Sequence, residues 1–305
     1  MTPILADPET ISSKAKSPKE TLKRYSGWLF VLPYLILFSL FLLTPLIYGF
    51  RLSLYKSELL SPSPPRFIGA GNYAEAFRDP YFWKAMTVTM RMMLLVTPIT
   101  ILTALGIAVG INSLPRKRQT FFRSAFFVPG MLTISVVGIV WRWFYSPEFG
   151  VFNAYLGAFG LRPPWLGNPA WATLAIVIMT VWWTVGGPMI ILLAGLQNQP
   201  EQYLEAAALD GATAFQRFRF ISLPLLRPVL LFTIILNVIG AFQIFGQTLL
   251  VTKGGPEFGT RTLVQYIYDT AFNNYRMGYA SSMSWILFVV IGAFAVIQFR
   301  VLREK

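Results

Sequence analysis

The stretch EAAALDGATAFQRFRFISLP, Glu205 to Pro224, lies between two long apolar segments. Just upstream, Pro200 suits the first turn of a helix, because its missing N–H would have no partner there and its φ is already helical. Glu201 and Glu205 follow at i and i+4, close to the helix start, where the positive pole of the dipole favours carboxylates. Ala206, Ala207 and Ala208 give a smooth surface of low relief. Gly211, after Asp210, is placed to end the helix in a left-handed cap, and residues 212–220 supply a second short helical run that Pro224 is expected to stop. The spacing predicts a helix–turn–helix elbow within a loop spanning residues 196–228.

The flanking segments set the compartment. Hydrophobic residues make up 55% of the chain and charged residues 13%, with a mean hydropathy of +0.55, which lies outside the range of a soluble domain. Windows of about 20 apolar residues, the length that crosses a hydrocarbon layer of about 30 Å, recur along the chain. Six are expected: Trp28 to Phe50, Met86 to Ile111, Ser124 to Tyr145, Trp171 to Gly195, Val229 to Val251 and Ser282 to Phe299. The fold class is therefore all-α and polytopic, with the elbow between the fourth and fifth spans. Residues 1–26 form a Ser/Lys-rich tail expected to be disordered, and residues 27–305 form one transmembrane domain.

Orientation follows from Lys and Arg in alternate loops. The tail, the second loop with Arg116, Lys117, Arg118 and Arg123, the elbow loop and the C-terminus carry fifteen, and the opposite loops carry nine over a greater length. Both termini and the elbow are thus expected on the cytoplasmic side. The net charge of +13 is explained by these flanking cations and by anionic lipid headgroups, with no need of nucleic acid. The polar first 26 residues and the long span after them predict an uncleaved anchor and no signal peptide.

What the chain lacks narrows the chemistry. Cys and His are absent, which removes thiol chemistry, disulfides, His-ligated metals and His acid–base catalysis. All 13 acidic residues fall outside the six expected spans, so no intramembrane proton relay or aspartyl catalytic pair is available. No phosphate-binding loop of the G-x-x-x-x-G-K-[ST] type occurs either. These absences leave no catalytic residue, no metal site and no cofactor to expect in this chain.

Glu205-Ala206-Ala207, three residues, Gly211, nine residues, Ile221, one residue and Leu223-Pro224 together resemble the coupling loop of the membrane-spanning subunits of bacterial ATP-driven (ABC) importers. Further blocks extend the likeness to the carbohydrate-uptake branch: Leu32-Pro33 to Tyr55, Phe67-Ile68-Gly69, Asn72-Tyr73, Asp79-Pro80, Phe82-Trp83 and Thr252 to Pro256. The Gly254-Gly255-Pro256 turn is similar to that of the maltose-type and glycerol-3-phosphate-type first permease. The resemblance implies a permease in the bacterial inner membrane, half of a pathway for a sugar or sugar derivative. Its implied partners are a second homologous permease, two copies of a cytoplasmic ATPase that binds ATP and Mg, an extracytoplasmic solute-binding protein and membrane lipid. Glu205, Ala206, Ala207, Asp210, Gly211 and Pro224 would couple to the ATPase. A permease for a phosphate ester, amino acid or peptide, and a scaffold that recruits an ATPase without passing solute, are the competing readings.

A sugar needs neutral hydrogen-bonding groups and aromatic faces in a largely apolar wall. Gln243 and Gln247, four apart in the fifth span, are expected to share a helix face and line the pathway, with Asn237 beside them and Ser284 and Trp285 from the sixth span. Bonding between spans is the alternative role for each. Arg91 and Arg142 are placed near span ends where long side chains snorkel to headgroups, and Trp141, Trp143 and Tyr145 read as an interfacial belt, whereas Trp182-Trp183 lies deeper. Pro98, Pro129 and Gly186-Gly187-Pro188 are expected to interrupt the second, third and fourth spans, as static kinks or as hinges.

Overall fold

The computed structural model describes Trp28 and residues 30–303, so the expected tail at 1–26 lies outside the described residues. Contacts divide the chain into two units, residues 1–51 and 52–305. The first is built on helix α1, Phe30–Ser53, which contains a π turn at Ser39–Leu43. Pro45 stands two residues past the end of that turn. A proline has no N–H and its ring crowds the carbonyl four residues back, and widening the ladder by one residue relieves both.

In the second unit a short ribbon, β1 (Tyr55–Lys56) paired antiparallel with β2 (Arg66–Phe67), adds a strand pair to the expected all-helical fold. Helix α2 (Gly71–Arg78) leads into α3 (Pro80–Asn112), whose 33 residues run unbroken through Pro98. Asp79 caps α3 by accepting from the Tyr81 N–H at 2.8 Å, with Pro80 in the first turn. At 1.5 Å per residue α3 spans about 50 Å, enough to cross a bilayer with turns to spare.

The third span is interrupted at Pro129, as expected, and the bend is sharp. Helix α4 (Arg116–Phe127), a 3-10 turn at Val128–Met131 and α5 (Ile134–Phe144) make it up, with a bend of 95°. After α6 (Val151–Gly157), the fourth span bends by 49° between α7 (Pro169–Thr184) and α8 (Gly186–Gln197). The two bends nest. A Cβ on Gly186 would stand 2.4 Å from the Phe126 carbonyl oxygen, so only glycine permits this backbone approach. The Trp183 indole N–H donates to the Leu132 carbonyl at 3.1 Å, satisfying an acceptor beside the 3-10 turn.

After helix α9 (Glu201–Leu209) comes α10, Ala214–Phe242, which runs through Pro224 instead of stopping there. A second π turn, Phe218–Ser222, precedes that proline as the first precedes Pro45. The fifth span then ends at Phe242, nine residues before its expected end at Val251. The chain turns at Gln243, makes a π turn at Thr248–Thr252, forms α11 (Leu263–Tyr268) and finishes in α12 (Met277–Arg303). Among the described residues four helices are long and apolar enough to cross a membrane, or six if each bent pair is one span. Two buried apolar clusters hold the second unit: one includes Phe82, Met92, Tyr145, Ile176, Phe242 and Met283, the other Ala104, Met189, Leu192 and Leu226.

Candidate functional site

The elbow is shaped by local bonds. Helix α9 starts after Pro200 and ends in a Schellman cap: Gly211 has φ +81°, its N–H donates to Ala208 O at 3.1 Å, and the Ala212 N–H donates to Ala207 O at 2.9 Å. Two residues later Thr213 opens α10 with a capping box, its hydroxyl accepting from the Gln216 N–H at 3.3 Å while Gln216 Oε1 accepts from the Thr213 N–H at 2.7 Å. The spacing predicts the Gly211 cap; the box, not expected, is signalled by Thr213 and Gln216 standing three apart. One longer tie closes the loop, Gln199 Nε2 to Ser222 O at 2.8 Å.

No residue of α9 is buried. Glu205, Ala206 and Asp210 are exposed, Ala207 is half-buried, and Leu209, Phe215 and Phe220 present bare apolar side chains, with Leu209 at 90% exposure. Asp210, Gly211, Gln216, Arg217 and Phe220 border a hollow of about 350 Å³ in the crook of the elbow. An apolar knob beside a carboxylate and a shaped hollow is the relief that a partner protein can grip.

A second candidate site is a cavity of about 360 Å³ enclosed by α3, α7, α8 and the end of α10. Of the expected pathway residues, Asn237 and Gln247 line it and Gln243, Ser284 and Trp285 do not. Gln243 sits exposed in the turn after α10, so it does not share a helical face with the buried Gln247. Ser284 spends its hydroxyl on Ala280 O at 3.0 Å, and Trp285 packs its ring edge-on to Phe288. The cavity adds residues the sequence did not single out for it: Thr180, Trp183, Thr184 and Thr233. Thr184 and Thr233 donate to carbonyls four residues back, Asn237 Nδ2 donates to Thr233 O at 3.3 Å, and the Thr180 hydroxyl is buried without a partner. Threonine carries little signal in an apolar helix, where it folds onto its own backbone as readily as it lines a pathway. Every lining residue is uncharged.

At the Pro80 end of α3 a third feature was invisible in the sequence. Asp79 Oδ2 accepts from Tyr266 at 2.5 Å and from Tyr279 at 2.7 Å, joining the starts of α3, α11 and α12. Burial works against its charge, but these two hydroxyls and the Tyr81 and Phe82 N–H groups outweigh it and hold the carboxyl below its ordinary range. Burial and the Asp79 carboxylate push the Tyr266 phenol up. Alongside, Arg276 Nη2 donates to both carboxylate oxygens of Glu75, at 2.7 and 2.8 Å. The only local clue was Asp79-Pro80, a helix-start signature that names no distant partner.

Arg91 and Arg142 are exposed, and neither lines the cavity. Trp143 is exposed as a belt residue should be, but Trp141 and Tyr145 are buried in a cluster with Phe152, Trp165 and Trp182. The Tyr145 hydroxyl donates to Ala175 O at 2.8 Å, so this residue holds the fourth span instead of facing headgroups.

Residues 11–304 match the family described as binding-protein-dependent transport system inner membrane component. The chain belongs to this family. Like its relatives it is a multi-pass permease subunit of an ABC transport system that works with a binding protein, and not itself an enzyme. It is 34% identical over 299 residues to the lactose transport system permease protein LacF of Rhizobium radiobacter, covering 95% of this chain and 99% of that one. To the probable ABC transporter permease protein YesP of Bacillus subtilis (strain 168) it is 36% identical over 281 residues, covering 90% and 89%. Its fold is similar to a chain in the crystal structure of a bacterial alginate ABC transporter in complex with alginate pentasaccharide-bound periplasmic protein, with a TM-score of 0.78, 23% identity and coverage of 94% and 97%.

Proposed function

We propose that this permease forms half of the membrane pathway of a sugar importer, alongside a second homologous permease and two copies of a cytoplasmic ATPase that binds ATP and Mg. Residues 27–305 act as the single transport domain, with both termini and the elbow in the cytoplasm. A solute-binding protein delivers the sugar to the opposite face. The observation that carries the reading is the elbow itself: a helix capped at Gly211 with no buried residue, presenting Glu205 and Leu209. Glu205, Ala206, Ala207, Asp210 and Gly211 form the surface that the ATPase moves, and Pro224 with its π turn transmits that movement into α10. Asn237 and Gln247 with Trp183 supply amides and an aromatic edge in an uncharged wall, a chemistry suited to hydroxyls and sugar rings. The name of LacF supports the same solute class.

The test is ATP hydrolysis by the reconstituted assembly, with and without sugar-loaded binding protein. Stimulation is expected in the intact complex and lost in Glu205→Ala, which touches only the exposed surface, and in Gly211→Pro, whose ring cannot adopt φ +81°. Full stimulation in both variants would overturn the coupling role.

A further inference from the structure

A polar cavity of about 560 Å³ lies behind the elbow, between the start of α9 and helix α4, and nothing in the transport reading uses it. Asn112, Arg116, Thr120 and Arg123 line one side, Gln197 and Glu201 the other. Two guanidinium groups thus face one carboxylate, and among the described residues neither arginine is in an ion pair. Arg123 is held in place by amides, its Nη2 donating to Gln119 Oε1 at 3.3 Å and Gln197 Oε1 at 2.8 Å, with Gln197 in turn donating to Gln119 at 3.0 Å. Its Nε is enclosed and has no acceptor. A fixed, under-compensated guanidinium beside an open polar volume favours an oxyanion, and the planar fork suits phosphate oxygens.

Helix α4 indicates where that phosphate comes from. It begins Arg116-Lys117-Arg118 and continues to Phe121 and Phe122, both exposed, directly after the span α3. Basic residues at one end and bare aromatic rings along the next turn are the pattern of a helix lying in the headgroup layer. The rings lie on the face of α4 turned away from the cavity and set the depth of the helix in the headgroup layer, where the phosphates at hand are those of lipids.

We infer that this cavity binds the phosphate of an anionic membrane lipid, with Arg116 and Arg123 as its charged contacts and Asn112 and Thr120 as neutral donors, while Phe121 and Phe122, on the other side of α4, hold the helix at headgroup depth. The site rests on the proposed function only for which leaflet supplies the lipid. Its test is bound lipid, read without ATP or sugar, so failure here leaves the coupling role untouched.

The full chain is placed in nanodiscs of phosphatidylcholine containing phosphatidylglycerol, delipidated mildly and examined by native mass spectrometry for retained phosphatidylglycerol. Arg116→Gln, which removes no hydrogen bond of the fold, and Arg123→Gln are expected to weaken retention about tenfold, the loss of one charge-assisted bond. Lys117→Gln removes the same charge from the same helix outside the cavity and is expected to retain lipid as the intact chain does. Equal retention in all four proteins, or an equal loss in Lys117→Gln, would overturn the site. Displacement of the lipid by inorganic phosphate alone, with no preference for phosphatidylglycerol over phosphatidylcholine, would overturn the lipid assignment.

Discussion

The two ends of α3 are built differently. At the Asn112 end stands the elbow, where Gly211, Thr213 and Gln216 are satisfied by groups within five residues, while longer bonds tie only its base, Gln199 to Ser222 and Gln197 to Gln119 and Arg123. At the Pro80 end, Asp79 is bonded to Tyr266 and Tyr279, Glu75 to Arg276, and the Thr89 hydroxyl to the Leu263 N–H, all more than 170 residues apart in sequence. On the proposed coupling role, a surface that a separate ATPase pushes has to keep its shape from its own local bonds. An end that ties three helix starts together has to be fixed by bonds across the chain, and its loss is felt by the whole second unit.

Asp79→Ala attacks the cross-tied end most directly. Two part-buried tyrosine hydroxyls lose their acceptor and α3 loses its cap, an expected cost of about 3 kcal/mol in thermal or denaturant unfolding. Gly211→Ala strikes the elbow and is expected to cost about 1–2 kcal/mol, because alanine resists the left-handed conformation. That loss should appear as faster hydrogen exchange confined to residues 205–217, with protection in α3 unchanged. Thr213→Ala, which removes one side of the capping box, follows at about 1 kcal/mol. Glu75→Gln is the mildest, below about 1 kcal/mol, since the pair with Arg276 is half-exposed and screened. If Asp79→Ala proved as mild and as local as Thr213→Ala, the contrast between the ends would fail.

Acid sharpens the same contrast. The folded Asp79 carboxyl titrates below the unfolded value of about 3.9, so its contribution is complete above that pH and is lost as pH falls through the lowered folded value. The melting temperature is expected to hold level from neutral pH to about 5 as far as this group is concerned, then to fall below about 4. In Asp79→Asn that acid decline should shrink, and in Gly211→Ala it should persist in full.

The elbow was legible because its rules are local. Glycine at a left-handed position and an exposed Glu-Ala-Ala run can be read from neighbours in sequence, and the structure places the Gly211 cap where the spacing predicted it. Pro224 misled the same kind of reading. The remedy for its missing N–H, a π turn at Phe218–Ser222, lets the helix continue, and a helix stop and a π turn look alike in a sequence. Of the residues expected to line a pathway, Asn237 and Gln247 border the cavity of about 360 Å³ and Gln243 does not, because the regular helix assumed for it ends at Phe242.

By itself the sequence determined the apolar segments and the cap at Gly211 that shapes the elbow, since hydropathy and capping act over a turn or two of chain. The sequence marks Pro129 and Gly186-Gly187-Pro188 as interruptions, but the tertiary structure alone decided how far the spans bend there and that the fifth ends at Phe242. The 95° bend after α4 exists because Gly186 admits the Phe126 backbone and Trp183 bonds the Leu132 carbonyl, and the turn at Gln243 is held where the Thr262 hydroxyl donates to Ile244 O at 2.6 Å and Gly246 lets Ile134 close in. In an apolar surrounding an interrupted helix survives only if other segments satisfy the groups it frees. Those segments are distant in sequence, so the breaks appear only once the chain has packed.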